Sequence, residues 1–215
     1  FAYTETLGGW RPDEILALVG VFFLVGGAIR LVIQPAMESF IEAVGEGTLD
    51  FTLTKPADAQ FLVSIQRVEI WRCTDIVLGA IVLAVAFSRL GTRVGPGRAA
   101  LFAAALLAGL VIVYSFWLIL ATLSFWLVRV ENILVIFQSM YEAGRWPVGL
   151  YPRWLRFALR FLVPVVFATT VPTQALLGRL TASALGAEAV LAVFLFGAAR
   201  LFWKAGLRRY SGASA

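Results

Sequence analysis

The chain has 215 residues, of which 60% are hydrophobic and only 14% are charged, and its formal net charge is +5. Because a soluble domain carries about 25% charged residues, this composition and a mean hydropathy of +0.87 exclude a soluble domain and predict several membrane spans of about 20 residues each. There is no histidine and one cysteine, Cys73, which excludes a disulfide within the chain, a thiolate metal cage and histidine-dependent catalysis.

The first predicted span covers residues 14–34 and follows a turn-rich segment with an interfacial tryptophan, Gly8-Gly9-Trp10. Arg30 lies in the last turns of this span. Its side chain either reaches the inner membrane surface or pairs with an acid inside the protein. The sequence begins with Phe1 rather than methionine, so we expect an upstream segment that is not part of this chain.

A polar segment at residues 35–72 separates the first two spans and is the most informative part of the sequence. Pro35 is predicted to start or kink a short amphipathic helix over 36–44, on which Glu38 and Glu42 are spaced i, i+4. A polar, turn-rich stretch between two spans must lie in water or against a soluble partner. We therefore interpret this segment as the surface on which a protein outside the membrane acts.

Two further spans are predicted at 73–90 and 99–128. The second is longer than one crossing requires at ~1.5 Å per residue, so we expect it to be tilted or to project beyond the bilayer. Its aromatic residues Tyr114, Trp117 and Trp126 are candidates for lining a transport pathway. Packing in the core or against lipid is the alternative for all three.

A second polar segment is predicted at 129–153, where charged residues interrupt an apolar helix. Glu142 and Arg145 are candidates for a second cytoplasmic contact. A helix lying on the lipid surface is the alternative.

The last two spans are predicted at 154–172 and 184–203. The stretch between them, 173–183, is predicted to form a short re-entrant or interfacial helix. Basic residues are more frequent in the polar segments and at the carboxyl end than in the remaining loops, which predicts that those segments face the cytoplasm.

Several kinds of chemistry are missing from the sequence. Lys55 and Lys204 are the only lysines, and neither follows a glycine or precedes a hydroxyl residue, so there is no phosphate-binding loop. The arginines are scattered rather than clustered, and we therefore expect no nucleic-acid binding. An intramembrane enzyme that uses carboxylates stays open, because Asp50, Asp58 and Asp75 are near one another in sequence.

A motif in the first polar segment resembles that of a known transporter family. Gly47-Thr48-Leu49-Asp50, followed by Leu53-Thr54-Lys55-Pro56, is similar to the G-x-L-D…L-x-K-P signature of a subfamily of type-2 ABC transporter permeases. Arg145-Trp146-Pro147, Tyr151-Pro152 and the tail Tyr210-Ser211-Gly212-Ala213-Ser214 agree in the same order. The resemblance covers nearly the whole chain.

The resemblance implies an all-α integral membrane protein with the transmembrane fold of a type-2 exporter. Residues 1–215 would form a single transmembrane domain, with five spans visible of an expected six. The segment 35–58 corresponds to the coupling helix, which docks on an ATPase. The residues that the resemblance assigns to this coupling are Glu38, Glu42, Leu49, Asp50, Lys55 and Pro56.

The resemblance also implies partners and a location. These are a dimer of ABC ATPase subunits that holds ATP and Mg, a second permease subunit that is homologous or identical, and the bilayer of a bacterial or archaeal cytoplasmic membrane. The chain itself is expected to bind no cofactor and no metal. The main alternative is a non-transporting membrane scaffold that binds a soluble partner through residues 35–72.

Overall fold

The structure is a computed structural model, and it describes residues 9–91, 94–127, 131–157, 159 and 165–210. Every regular element within these residues is helical, which confirms the predicted all-α membrane fold. The α-helices are α1 Pro12–Gly45, α2 Asp50–Leu53, α3 Ala59–Ile65, α4 Cys73–Leu90, α5 Pro96–Thr122, α6 Glu131–Glu142, α7 Arg153–Phe157, α8 Val165–Leu176 and α9 Ala182–Leu207.

Four helices in the described part of the chain are long and apolar enough to cross a membrane. They are Pro12–Gly45, Ile70–Leu90, Pro96–Phe125 and Ala182–Leu207. The second and third of these include a 3₁₀ turn, which precedes α4 and follows α5.

The remaining predicted span, 154–172, lies partly outside the described residues, since 158 and 160–164 are not among them. It therefore stays a prediction. The stretch predicted as a short re-entrant helix, 173–183, forms no helix of its own. It is divided among the end of α8, a turn in which Gly178 has φ +71°, and the start of α9.

Helix α1 does not stop or restart at Pro35, and the predicted separate helix over 36–44 is its carboxyl-terminal end. A π-helical turn at Ile29–Ile33 precedes the proline. Proline has no N–H to give to the carbonyl four residues earlier, and a π turn is one way in which a helix accommodates such a gap. The helix thus stays continuous from Pro12 to Gly45.

Glycines bring α1 and α4 into close contact. A Cβ added to Gly79 would lie 2.7 Å from the backbone nitrogen of Leu24, and one added to Gly20 would lie 2.7 Å from the Leu83 side chain. Small residues of this kind let two membrane helices approach through their backbones. The two helices that flank the first polar segment are therefore held together.

The ends of the helices define the two membrane sides. At the start of α1, Glu14 is buried and pairs at 2.6 Å with Arg179, which lies in the turn between α8 and α9. This end corresponds to the outer side under the predicted orientation.

Helices α4 and α9 expose apolar side chains, among them Val77, Ile81, Val190, Val193 and Phe194, as expected for surfaces that face lipid.

Candidate functional site

The candidate site is the insert, which we define as residues 46–72, between the end of α1 and the start of α4. The chain leaves α1 through a turn in which Gly47 has φ +72°, a conformation that favours glycine. The backbone N–H groups of Thr48 and Leu49 both bond to the carbonyl of Ala43. Leu49 is 1% exposed and belongs to the main hydrophobic core, so it anchors the turn and does not itself face a partner.

The one-turn helix α2 forms an apolar tip beyond this anchor. Phe51 is 74% exposed and Leu53 is partly exposed, and Lys55 and Pro56 follow on the exposed side. Asp50, the first residue of α2, is half-buried. An exposed phenylalanine on a small rigid turn is well suited to fill a pocket of a protein partner. Phe51 is not among the coupling residues predicted from the sequence, although an apolar residue inside a turn-rich polar block was the available signal.

Asp58 ties the insert to the last span. Its carboxylate accepts the N–H of Phe61 at the start of α3 and forms a bidentate pair with the Arg200 guanidinium, in which one N–O distance is 2.9 Å. The same guanidinium donates to the Gln60 side chain at 2.8 Å. Hydrogen bonding from Arg200 lowers the pKa of Asp58 to about 2, so this carboxylate is ionised at neutral pH.

Tyr114 ties the insert to α5. Its hydroxyl accepts from the Gln60 amide at 3.2 Å and lies 2.6 Å from the hydroxyl of Ser64. Gln60 is only 4% exposed, and it contacts Tyr114 and Arg200 together. Tyr114 was predicted to line a pathway, and the structure gives it this contact with α3; a pathway role stays a prediction.

The end of the insert is bonded back to α1. Pro35 cannot donate to the carbonyl of Leu31, and the N–H of Glu69 occupies that carbonyl at 2.9 Å. One residue before Leu31, the Arg30 side chain pairs with Asp75 on α4 at 2.9 Å. Of the two predicted alternatives for Arg30, the structure shows the one in which it pairs with an acid.

Glu38 and Glu42 lie away from the apolar tip. Both are exposed, and they line a cavity of about 360 Å³ between α1 and α6. Glu38 also accepts a hydrogen bond from the Gln34 amide at 2.8 Å. The other residues of this cavity are Ile41, Arg67, Trp117, Leu134, Val135 and Gln138. The structure thus separates two groups of predicted coupling residues, and a coupling role for either group stays a prediction.

The other two predicted pathway residues have different environments. Trp117 is 1% exposed and borders the cavity beside Glu38. Trp126 is exposed and stacks on Phe202 of α9 with ring centroids 5.2 Å apart. The three aromatic residues thus do not meet at one surface.

The predicted second cytoplasmic contact lies beside Phe22, in the first third of α1. Glu142 and Arg145 form an i, i+3 ion pair of 2.7 Å, and the Arg145 guanidinium lies 5.3 Å from the centre of the Phe22 ring. Phe22 is ten residues into α1, or about 15 Å along its axis. A contact with a cytoplasmic protein at this pair stays a prediction, and its depth along α1 counts against it.

Arg200 and Gln60 are the functional candidates that sequence reasoning missed. The available signal was an arginine inside an apolar helix, since a charged side chain within a span needs a partner or an aqueous surrounding. Its partner, Asp58, is 142 residues away in sequence, so the signal indicates that a partner exists and does not identify it.

Comparison with protein families agrees with this architecture. Residues 1–214 match the model of a family described as ABC-2 family transporter protein. The chain belongs to the ABC-2 transporter family. No curated protein and no solved structure matches the chain.

Membership of the ABC-2 family makes this chain a multi-pass membrane component of an ABC transporter. Members of the family form the transmembrane part and hold no ATPase site of their own, in agreement with the missing phosphate-binding loop. The polar network of the insert accordingly belongs to a permease rather than to an enzyme.

Proposed function

We propose that this ABC-2 permease is the transmembrane subunit of an exporter driven by a separate ABC ATPase dimer in a bacterial or archaeal cytoplasmic membrane. The observation that carries the proposal is the insert itself, which has an exposed apolar tip and is bonded to spans on three sides. ATP and Mg would bind to the ATPase. This chain and a second permease subunit would form the path.

The proposed mechanism follows from the contacts of the insert. A displacement of Phe51 by the ATPase would pass through the anchored turn into α3. From α3 it would reach α9 through the bidentate Asp58–Arg200 pair and α5 through Tyr114. Bidentate, charge-assisted contacts fix both distance and direction, so they are suited to transmit a movement rather than to absorb it.

The other end of the insert would act as a fixed point. The bond from the Glu69 N–H to the Leu31 carbonyl and the Arg30–Asp75 pair connect α1 with α4, and the same helices touch through glycine. A push at the tip therefore favours movement of α5 and α9 relative to α1 and α4.

The test is copurification of the full-length protein with a coexpressed candidate ABC ATPase, followed by ATP hydrolysis of the complex. We expect Phe51→Asp to reduce ATPase association at least about tenfold, because a hot-spot side chain contributes 2 kcal/mol or more to binding. Ile70→Asp is the matched control, since Ile70 is equally apolar and 71% exposed at the other end of the insert.

A second variant separates docking from transmission. Arg200→Ala should leave ATPase association intact and lower transport-coupled ATP hydrolysis severalfold. The double exchange of Asp58→Arg with Arg200→Asp should restore part of the transport-coupled ATP hydrolysis. If no ATPase associates with the wild-type protein although its membrane fold is intact, the exporter proposal is wrong and the membrane scaffold is favoured.

A further inference from the structure

A groove lies between the insert and the last span. Helix α3 supplies one wall through Phe61 and Ile65, and α9 supplies another through Phe196. The Asp58–Arg200 ion pair also lines the groove, whose volume is about 580 Å³. Sites for small ligands have volumes of about 300–1,000 Å³, so the groove is large enough to hold one.

Three helices place this groove at the same depth in the membrane. Tyr114 and Arg200 line it, and each lies 18 residues after the first residue of its helix, α5 or α9 (96 to 114 and 182 to 200), which is about 27 Å of helix. Val32 lies 20 residues after the start of α1 (12 to 32), or about 30 Å. Since a hydrocarbon core is about 30 Å thick, the groove lies at its cytoplasmic edge under the predicted orientation.

The groove becomes apolar toward the membrane centre. Phe196 precedes Arg200 on α9 by one helical turn, so it lies about 6 Å deeper in the hydrocarbon core, and it is 45% exposed. Phe61 and Ile65 on α3 are 60% and 48% exposed. Charged groups at the interface and exposed apolar side chains next to them suit an amphiphile with a polar head and an acyl chain.

The deep end of the groove is continuous with the lipid-facing surface of α9. Val193 and Phe194 come just before Phe196 and are 76% and 67% exposed. A soluble ATPase does not enter the hydrocarbon core, whereas a membrane lipid already surrounds this part of α9. The occupant that fits both the depth and the open side of the groove is therefore a phospholipid of the cytoplasmic leaflet.

The ion pair has hydrogen-bonding capacity left for a head group. Arg200 has five N–H donors, and it uses two on Asp58 and one on Gln60. The other two have no acceptor among the residues that the structure describes. The Asp58 and Arg200 side chains are 45% and 34% exposed. A ligand thus meets a carboxylate and a guanidinium side by side, and a head group that carries both a cation and an anion complements them.

We propose that this groove binds a zwitterionic phospholipid with a primary ammonium group, as in phosphatidylethanolamine. Its phosphate accepts from the remaining N–H groups of Arg200, its ammonium donates to Asp58, and one acyl chain lies along Phe61 and Phe196. Pockets between membrane helices on the cytoplasmic side are known places for recognition of lipid head groups. The bound lipid braces α3 against α9 beside the ion pair.

The test is native mass spectrometry of the full-length protein in detergent, incubated with phosphatidylethanolamine, phosphatidylcholine or phosphatidylglycerol of identical acyl chains. We expect phosphatidylethanolamine to be retained severalfold more than either of the others. Choline has no N–H to donate to Asp58, and the glycerol head group brings no cation to it. Equal retention of the three lipids would overturn the proposal.

Asp58→Asn should change the lipid preference in a defined direction. The substitution removes the carboxylate and leaves the Arg200 guanidinium without its counter-ion. The anionic phosphatidylglycerol should then be retained better than phosphatidylethanolamine. A preference for phosphatidylethanolamine that survives Asp58→Asn would mean that the head group is recognised elsewhere, and the proposal would be wrong.

Phe196→Ser tests the apolar wall and should lower retention of phosphatidylethanolamine severalfold. Phe194→Ser is the matched control, because Phe194 is exposed on the same helix and does not line the groove. Equal losses in the two variants would show ordinary lipid contact around α9 instead of a site. The comparison of the three lipids on the wild-type protein does not depend on the folding of any variant. No ATPase takes part, so the result is independent of the copurification test.

Discussion

The insert at 46–72 and the segment at 143–157 are similar in sequence and differ in their surroundings. Both combine proline, glycine, exposed tryptophan and arginine between apolar helices. The insert is bonded to distant spans through Asp58–Arg200, Gln60–Tyr114 and Glu69–Leu31. The side-chain hydrogen bonds of Tyr151 and Arg156, in the segment 143–157, are local and go to the carbonyls of Ala143, Gly149 and Tyr151. Segments of similar composition are thus tied to the rest of the molecule in different ways.

The difference lies in how firmly each polar interruption is held to distant helices. The contacts of the insert include side-chain hydrogen bonds to spans up to 142 residues away, so a movement of its tip would move those spans or break the bonds. Three predictions test this contrast, in order of decreasing expected effect.

The largest effect is expected for Gly79→Leu. The new Cβ would meet the Leu24 backbone nitrogen at 2.7 Å and the Gly20 carbonyl at 2.9 Å, so α1 and α4 must separate. Overpacking of this kind costs about 3 kcal/mol or more when backbone must move. Thermal unfolding in detergent measures the loss of stability. ATP hydrolysis coupled to transport should also fall, because the insert loses its fixed attachment to α1 and α4.

Gly197→Leu is the matched control, because a Cβ at Gly197 meets nothing within 4 Å. Equal unfolding temperatures of the two leucine variants would contradict the close packing of α1 on α4.

An intermediate effect is expected when one ion pair in each region is broken. Asp75→Ala removes the partner of Arg30 and disconnects α1 from α4 at the end of the insert. We expect a loss of about 1–2 kcal/mol, less than for a fully buried pair because both side chains are partly exposed. Glu142→Ala breaks the local, more exposed pair with Arg145 and should change stability by under about 0.5 kcal/mol. Equal losses of stability for the two variants, measured by thermal unfolding, would contradict the expected difference between the two regions.

The smallest effect concerns pH. The pKa of Asp58 falls from 3.8 to about 2 on pairing with Arg200. A lowered folded-state pKa means that the stabilisation is present above about pH 4 and is lost as pH falls toward about pH 2. Attachment of the insert should therefore be constant between about pH 8 and about pH 5, as measured by protease cleavage within residues 46–57. Asp58→Asn should raise the rate of protease cleavage at every pH. A loss of attachment confined to pH 8–5 in the wild-type protein would show that a group other than Asp58 controls attachment of the insert.

Much of the architecture could be predicted from local sequence. Apolar composition and run length predicted a multi-pass helical protein, and the helix predicted at 73–90 runs Cys73–Leu90. The polar, turn-rich block predicted an insert outside the membrane region. Hydropathy and turn chemistry are properties of neighbouring residues, so they can be read before the chain is folded.

The candidate site could be predicted only in part. Asp50, Lys55 and Pro56 were selected and lie at or beside the tip, whereas Phe51 was not selected and is its most exposed apolar residue. Leu49 was selected for the rigid turn, and its burial in the core shows how that turn is held. Arg200 was not selected, because nothing near it in sequence reveals its partner.

The sequence by itself determined the class of this ABC-2 protein, the approximate limits of several spans and the existence of two polar interruptions. Tertiary structure alone decided that Arg30 pairs with Asp75, that Arg200 pairs with Asp58, and that the Arg145 guanidinium lies over the Phe22 ring. The physical reason is that hydropathy depends on local composition, whereas the depth and partners of a polar group depend on which distant helices pack against it.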